Sequence, residues 1–272
     1  MVRSPTGPIR DPHFTWQARL PTCVGARPHT AGMAKMTGPC AREFWMALLD
    51  NASRLVEDAR LLLGTGSFGR ALSLTVLAQE ELGKALWIYD EFEGAWSRGE
   101  DNERTIARLR EHGRSHFQKY LEAVTFSDEL ASFWGDYSAF KSGPDGETTE
   151  QMIARLRARA ESRQVQAERS AREANIAKQK GFYVDRDEHD QVLSPSEIGA
   201  GTVESDLQSA AQVIEMLLIR DHTRMKREAV TAYDGTHAQQ FRLLPISHPE
   251  DWAAASEEFR RGPANPGSLA SD

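Results

Sequence analysis

The sequence predicts an all-α protein, an antiparallel helical bundle with irregular extensions at both ends. Three observations carry that reading. Apolar residues recur at helical spacing over several long segments, the pattern of helices that bury one face. Breaks rich in Gly and Pro separate those segments, and no alternating run is long enough to build a sheet. One segment, residues 73–92 (SLTVLAQEELGKALWIYDEF), is apolar nearly all round its axis, as expected of a helix at the centre of a packed domain.

Residues 1–40 read as a first extension. Their opening stretch is rich in Pro, Gly and Arg and has no apolar segment of the secretory type, so disorder is expected and a signal peptide is not. Met33 and Met36 stand just before the first helical pattern, and one of them is the expected start of translation. From Ala41 onward, Phe44, Leu48, Leu55, Ala59 and Leu62 mark the first helix, and Gly64 with Gly66 ends it. The turn GTGSFG is so short that the next helix should be its antiparallel neighbour.

A third helix is expected over residues 101–124, carrying Ile106, Leu109, Phe117, Tyr120, Leu121 and Val124, with EHGRSH as a weak point. Residues 127–141 read as a short helix and SGPDGETT as a loop. An alanine- and arginine-rich helix follows from Glu150 to about Lys180. GFYVDRDEHDQVLSP reads as a loop or tiny hairpin. Ser194-Pro195-Ser196-Glu197 then opens a last long helix to about residue 228, with Val203, Leu207, Ala211, Ile214, Leu217 and Leu218 on one face. The bundle thus spans 41–230. Residues 231–272 hold one short helix, Glu250–Arg260, and a disordered tail.

Composition narrows the function. A net charge of −7 argues against indiscriminate nucleic-acid binding by the whole chain. No apolar run reaches the length of a membrane span. The two cysteines, Cys23 and Cys40, lack metal-ligand spacing and are too few for a disulfide framework, so a reduced, cytoplasmic setting is expected. No metal or cofactor is implied, because the paired Glu-x-x-His motifs of carboxylate-bridged metal bundles are absent.

The central helix raises a chemical question. Glu80, Glu81 and Lys84 stand among leucines, and buried charges need partners. Glu80 and Lys84 are spaced i,i+4 and Glu81 and Lys84 i,i+3, yet one carboxylate is left over. The expectation is one polar network of all three, completed by a basic group from the third helix. It is either an internal staple that fixes helix register or a functional site.

These residues also carry a family resemblance. Asn51, Leu55, Asp58 and Ala59, then Ala71, Leu74, Ala78, Glu80, Glu81, Gly83 and Lys84, resemble the N-terminal signature of the AbiV family of abortive-infection proteins. KQKGFYVD, Lys178 to Asp185, is similar to a second signature of that family. The resemblance spans about residues 42–228. It implies membership of the wider HEPN group of helical bundles, many of them ribonucleases in phage defence, and with it a cytoplasmic homodimer that limits phage multiplication by acting on RNA or translation. HEPN ribonucleases resemble one another in an Arg, four to six residues, then a His; here Arg110 and His116 have five between them. The implied chemistry needs no metal: His moves a proton and Arg stabilises the charged phosphorane. His116 and Lys119 also look like the His-x-x-Lys of AbiV-like proteins, which would meet the spare carboxylate of Glu80 or Glu81.

The basic helix offers a second candidate surface. Residues 151–180 hold eight basic residues against three acidic ones. Arg155, Arg159 and Arg163, with Lys180, Tyr183 and Asp185 beyond them, form a candidate binding set. The arginines would track phosphates and Tyr183 would stack on a base; the same run also reads as a solvated helix face. Two functions therefore stay open: an effector that binds or cuts RNA, and a non-catalytic helical module that recognises a phage or host protein.

Overall fold

The computed structural model describes residues 34–137, 146–227 and 237–261. The N-terminal stretch to residue 33, the first half of the SGPDGETT loop with the residues just before it, residues 228–236 and the end of the tail lie outside the described residues. Described elements are overwhelmingly helical. Helices α1 (Gly38–Gly64) and α2 (Phe68–Arg98) form the antiparallel hairpin that their short connection predicts. Pro39 sits in the first turn of α1, where its missing N–H costs nothing. Gly66, at φ 77°, makes the turn, and Gly99 caps α2 in the left-handed conformation.

The segment expected as a third helix is divided. It holds a two-residue strand β2 (Arg104–Thr105), α3 (Ala107–His112) and α4 (His116–Ser127). Ser115 is the reason for the restart: its side chain accepts the Gln118 N–H and caps α4. A single turn, α5 (Leu130–Phe133), follows. The basic helix α6 runs over Thr149–Phe182, opened by a capping box between Thr148 and Gln151. The hairpin reading of the next stretch holds, as β3 (Asp185–Arg186) pairs antiparallel with β4 (Val192–Leu193).

Two boundaries differ from expectation. Ser194 caps only a 3-10 turn, Pro195–Glu197, and the last core helix α7 begins at Val203 (Val203–Arg227). Ala34 is buried, and β1 (Lys35–Met36) pairs with β2, so residues 34–40 belong to the fold and not to the extension. A helix unforeseen in the tail, α8 (His237–Ser247), precedes α9 (Pro249–Arg261). It buries Leu243 and Ile246 and is tied to α1 by Arg242 and Asp50, 2.5 Å apart. Its apolar face was too short to register as a period. Cys40 is disulfide-bonded, against the expectation of reduced thiols; Cys23 lies outside the described residues.

The core lies where α1, α2 and α7 meet, around Trp45, Leu49, Leu82, Ile88, Phe92, Leu207, Ile214 and Leu217, all almost fully buried. The opposite side of α2 is covered by α4 and the C-terminal half of α6, through Ala123, Ala167, Ala171 and Ala174. That all-round contact explains why α2 is apolar on every face. No helix among the described residues is long and apolar enough to cross a membrane.

Candidate functional site

Glu80, Glu81 and Lys84, in the middle of α2, divide into two unequal groups. Glu81 and Lys84 pair with each other at 2.7 Å, with side chains 20% and 19% exposed. Glu80, 2% exposed, turns the other way. Its Oε1 lies 2.5 Å from Lys178 Nζ, and its Oε2 lies 2.6 Å from His116 Nδ1 and 3.2 Å from Lys119 Nζ. The expected single network of Glu80, Glu81 and Lys84 is thus corrected: Lys84 is satisfied by Glu81, and Glu80 draws its partners from α4 and α6. His116 and Lys119, placed i,i+3 on α4, do meet the carboxylate.

Local structure explains why three elements converge there. Gly83 lets α4 approach α2, since a side chain at that position would overlap the Lys119 carbonyl oxygen. Gly181 does the same for α6, where a Cβ would overlap the Gly69 carbonyl and the Ser73 hydroxyl. Ser73 completes the crossing by donating its hydroxyl between the carbonyls of Lys178 at 2.9 Å and Gly69 at 3.0 Å. The two sequence signatures are therefore one contact: the first supplies Glu80 and Gly83, the second Lys178 and Gly181.

The electrostatics follow from this geometry. Burial alone would raise the Glu80 carboxyl, but hydrogen bonds from Lys178 and His116 and the charges of Lys119 and Lys178 outweigh it, holding it below its ordinary value. Glu80 is then an ionised acceptor, so His116 Nδ1 must donate to it and Nε2 is the basic ring nitrogen. One carboxylate faces two ammonium groups. The imbalance is positive, opposite in sign to the one expected from the sequence. Lys119 and Lys178 are buried, whereas the His116 side chain is 53% exposed. The imidazole is the outward member of the group.

Arg110 stands apart. It is exposed on α3 and hydrogen-bonded to its neighbour Glu111 at 3.2 Å, so the Arg–His pair suggested by spacing is not joined. The basic helix is largely self-compensated. Arg155 is held by both oxygens of Glu147, Arg163 lies 4.0 Å from Asp128, and Arg169 and Arg172 pair with Glu173 and Glu168. Arg159, Lys180, Tyr183 and Asp185 are exposed; the Asp185 carboxylate accepts the Arg186 backbone N–H.

Sequence reasoning missed two participants. Lys178 lay inside the second signature, and its i,i+3 spacing from Gly181 was the signal that both face α2. Asp221, fully buried, binds Arg42 at 2.6 Å and the Nε and Nη2 of Arg224 at 3.0 and 2.8 Å. Its signal was position: it continues the apolar stripe of Ile214, Leu217 and Leu218, where a charge cannot stay unpaired.

The helical hairpin and the helices that cover it form an all-α bundle. The family model HEPN_AbiV, described as AbiV, matches residues 40–215, and the chain belongs to the AbiV family. No curated protein and no solved structure matches it. The family is one of abortive-infection proteins, which assigns the chain to phage defence.

Proposed function

We propose that this chain is an abortive-infection effector that cleaves RNA without a metal, with His116 as the proton acceptor and Glu80 as the residue that orients it. The observation that carries this reading is a half-exposed imidazole whose Nδ1 is held by a buried, ionised carboxylate. Such an arrangement fixes the tautomer and stabilises the imidazolium that forms on proton uptake. Nε2 would take the proton of a ribose 2′-hydroxyl; the 2′-oxygen bonds to phosphorus and the P–O5′ bond breaks. The leaving 5′-oxygen takes a proton from the His116 imidazolium of a second copy, in a homodimer. The positive excess at Lys119 and Lys178 favours the approach of phosphate. Arg110 would join only by leaving Glu111.

A second reading has its own support. Glu80, Lys119 and Lys178 are buried and tie three helices together, as an internal staple of a non-catalytic module for a phage or host protein would. One experiment separates the two. Purified protein is incubated with labelled tRNA and total RNA in EDTA, beside His116→Ala. Defined fragments ending in 2′,3′-cyclic phosphate, lost in a variant of unchanged melting temperature, support cleavage. No fragments from either protein, with phage protection intact in the variant, supports the binding module.

A further inference from the structure

A third buried carboxylate lies under α8, and it is the poorly matched one. Glu80 faces two lysines and an imidazole, and Asp221 faces two arginines. Glu215, on α7, is 1% exposed, yet among the described residues no lysine or arginine pairs with it. Its Oε1 accepts the neutral Gln240 amide at 3.2 Å. Its Oε2 lies 3.1 Å from His248 Nε2, but the two are out of line and make no hydrogen bond. An amide and a misaligned imidazole are thin compensation for a buried charge.

Both contacts come from α8 and the residue that follows it. Gln239, Leu243, Ile246 and Ser247 form the buried face of α8, set against α1 and α7, at spacings that share one side of a helix. Gln240 flanks that face toward α7. Arg242 flanks it toward α1, 2.5 Å from Asp50 and 4.0 Å from Glu57. The groove is therefore acidic on both walls, with Asp50 and Glu57 on α1 and Glu215 on α7, and α8 answers one wall with a cation. The end of α8 is anchored where the Ser247 carbonyl accepts the Gln208 and Gln212 amides. Elsewhere the fit is poor: Gln239 Oε1 and Ser247 Oγ are buried without partners, and Pro245 removes a backbone donor inside the helix. All three acidic wall residues fall within the family-matched residues 40–215, whereas α8 lies outside them.

We propose that this groove between α1 and α7 is a docking site for a basic amphipathic helix of another protein, and that α8 is the chain's own, weaker occupant. The partner helix carries apolar residues three apart, as Leu243 and Ile246 are, and a basic residue on each flank, one toward Asp50 and one toward Glu215. Arginine at the place of Gln240 supplies the missing cation without new geometry. Its Nε stands as many bonds from the backbone as the Gln Nε2, and its fork matches a carboxylate. The groove owes nothing to the chemistry at His116, which lies on α4.

The test uses the full chain and two fluorescent peptides, residues 237–249 and the same segment with Gln240→Arg, followed by anisotropy at low salt. The arginine peptide binds about tenfold or more tightly than the native one, and the preference disappears on a Glu215→Gln chain. Within the full chain, Gln240→Arg slows hydrogen exchange of the α8 amides about tenfold and leaves that of α2 unchanged. Failure of the arginine peptide to bind at millimolar concentration overturns the proposal, as do equal affinities or a preference that persists on Glu215→Gln. So does α8 exchange that Gln240→Arg fails to slow. A dimer that forms with rising concentration and is dispersed equally by both peptides also overturns it, because a second copy's α8 is then the occupant. If Glu215→Gln does not fold, the peptide pair on wild type and the exchange rates decide.

Discussion

Glu80 and Asp221 are both buried carboxylates, and each holds a bundle together, but in opposite ways. Asp221 is sealed. Its partners are two arginines whose planar heads lie against aromatic rings, with Arg42 4.4 Å from the Trp45 centroid and Arg224 5.7 Å from that of Trp96. Glu80 is open on one side. It holds two lysines and an imidazole that reaches solvent. Arginine suits the closed site because its fork satisfies several acceptors and its face packs on rings. Histidine suits the open one because one ring nitrogen donates to the carboxylate while the other faces outward. Similar burial of the carboxylate thus goes with two arrangements: a lock between α1 and α7, and a support that holds an exposed imidazole.

The comparison can be broken first at Asp221. Asp221→Ala leaves two guanidinium groups buried without their anion, and the cost should approach about 5 kcal/mol. Chemical denaturation checks it, and a loss below that of the Glu80 variant would reverse the ranking of the two sites.

Glu80→Gln should cost less, about 3 kcal/mol, because His116 can turn to water and the amide oxygen still accepts from Lys119 or Lys178, which lose only their counter-charge. The pH dependence sharpens this. The folded Glu80 carboxyl lies below its ordinary value of 4.5, so its stabilisation is fully present above that value and is lost as pH falls through the folded one. Wild type should therefore lose stability in acid more steeply than Glu80→Gln. Parallel melting curves from neutral pH down to about pH 3 would show that the carboxylate contributes nothing.

The smallest effect belongs to Lys84→Met. The sequence placed Lys84 in the buried network, where its loss would be severe. The structure pairs it with Glu81 at the partly exposed edge of α2, and the expected loss is below about 1 kcal/mol. A loss as large as that of Glu80→Gln would return Lys84 to the network.

Legibility in the sequence followed the range of the interaction. The α1–α2 hairpin, the basic helix and the small β-hairpin were readable because periodicity, caps and turn residues act over a few positions. The division of α3 from α4 was visible only as Gly113. The delayed start of α7 was hidden behind Ser194 and Glu197, which cap a 3-10 turn with the same chemistry that opens an α-helix. At the candidate site, the need for a partner at Glu80 or Glu81 and the candidacy of His116 and Lys119 were legible; which carboxylate they meet was not, nor was Lys178, 98 residues away.

The sequence by itself determined that this chain folds as helices around α2, and that α2 carries charge it must compensate. Spacing along one helix is enough for both, because side chains three and four apart share a face whatever the rest of the chain does. The tertiary structure alone decided which carboxylate is the hub, that its surroundings carry excess positive charge, and that Arg110 pairs with Glu111. Those outcomes depend on how closely α4 and α6 approach α2, which Gly83 and Gly181 set by the absence of a side chain.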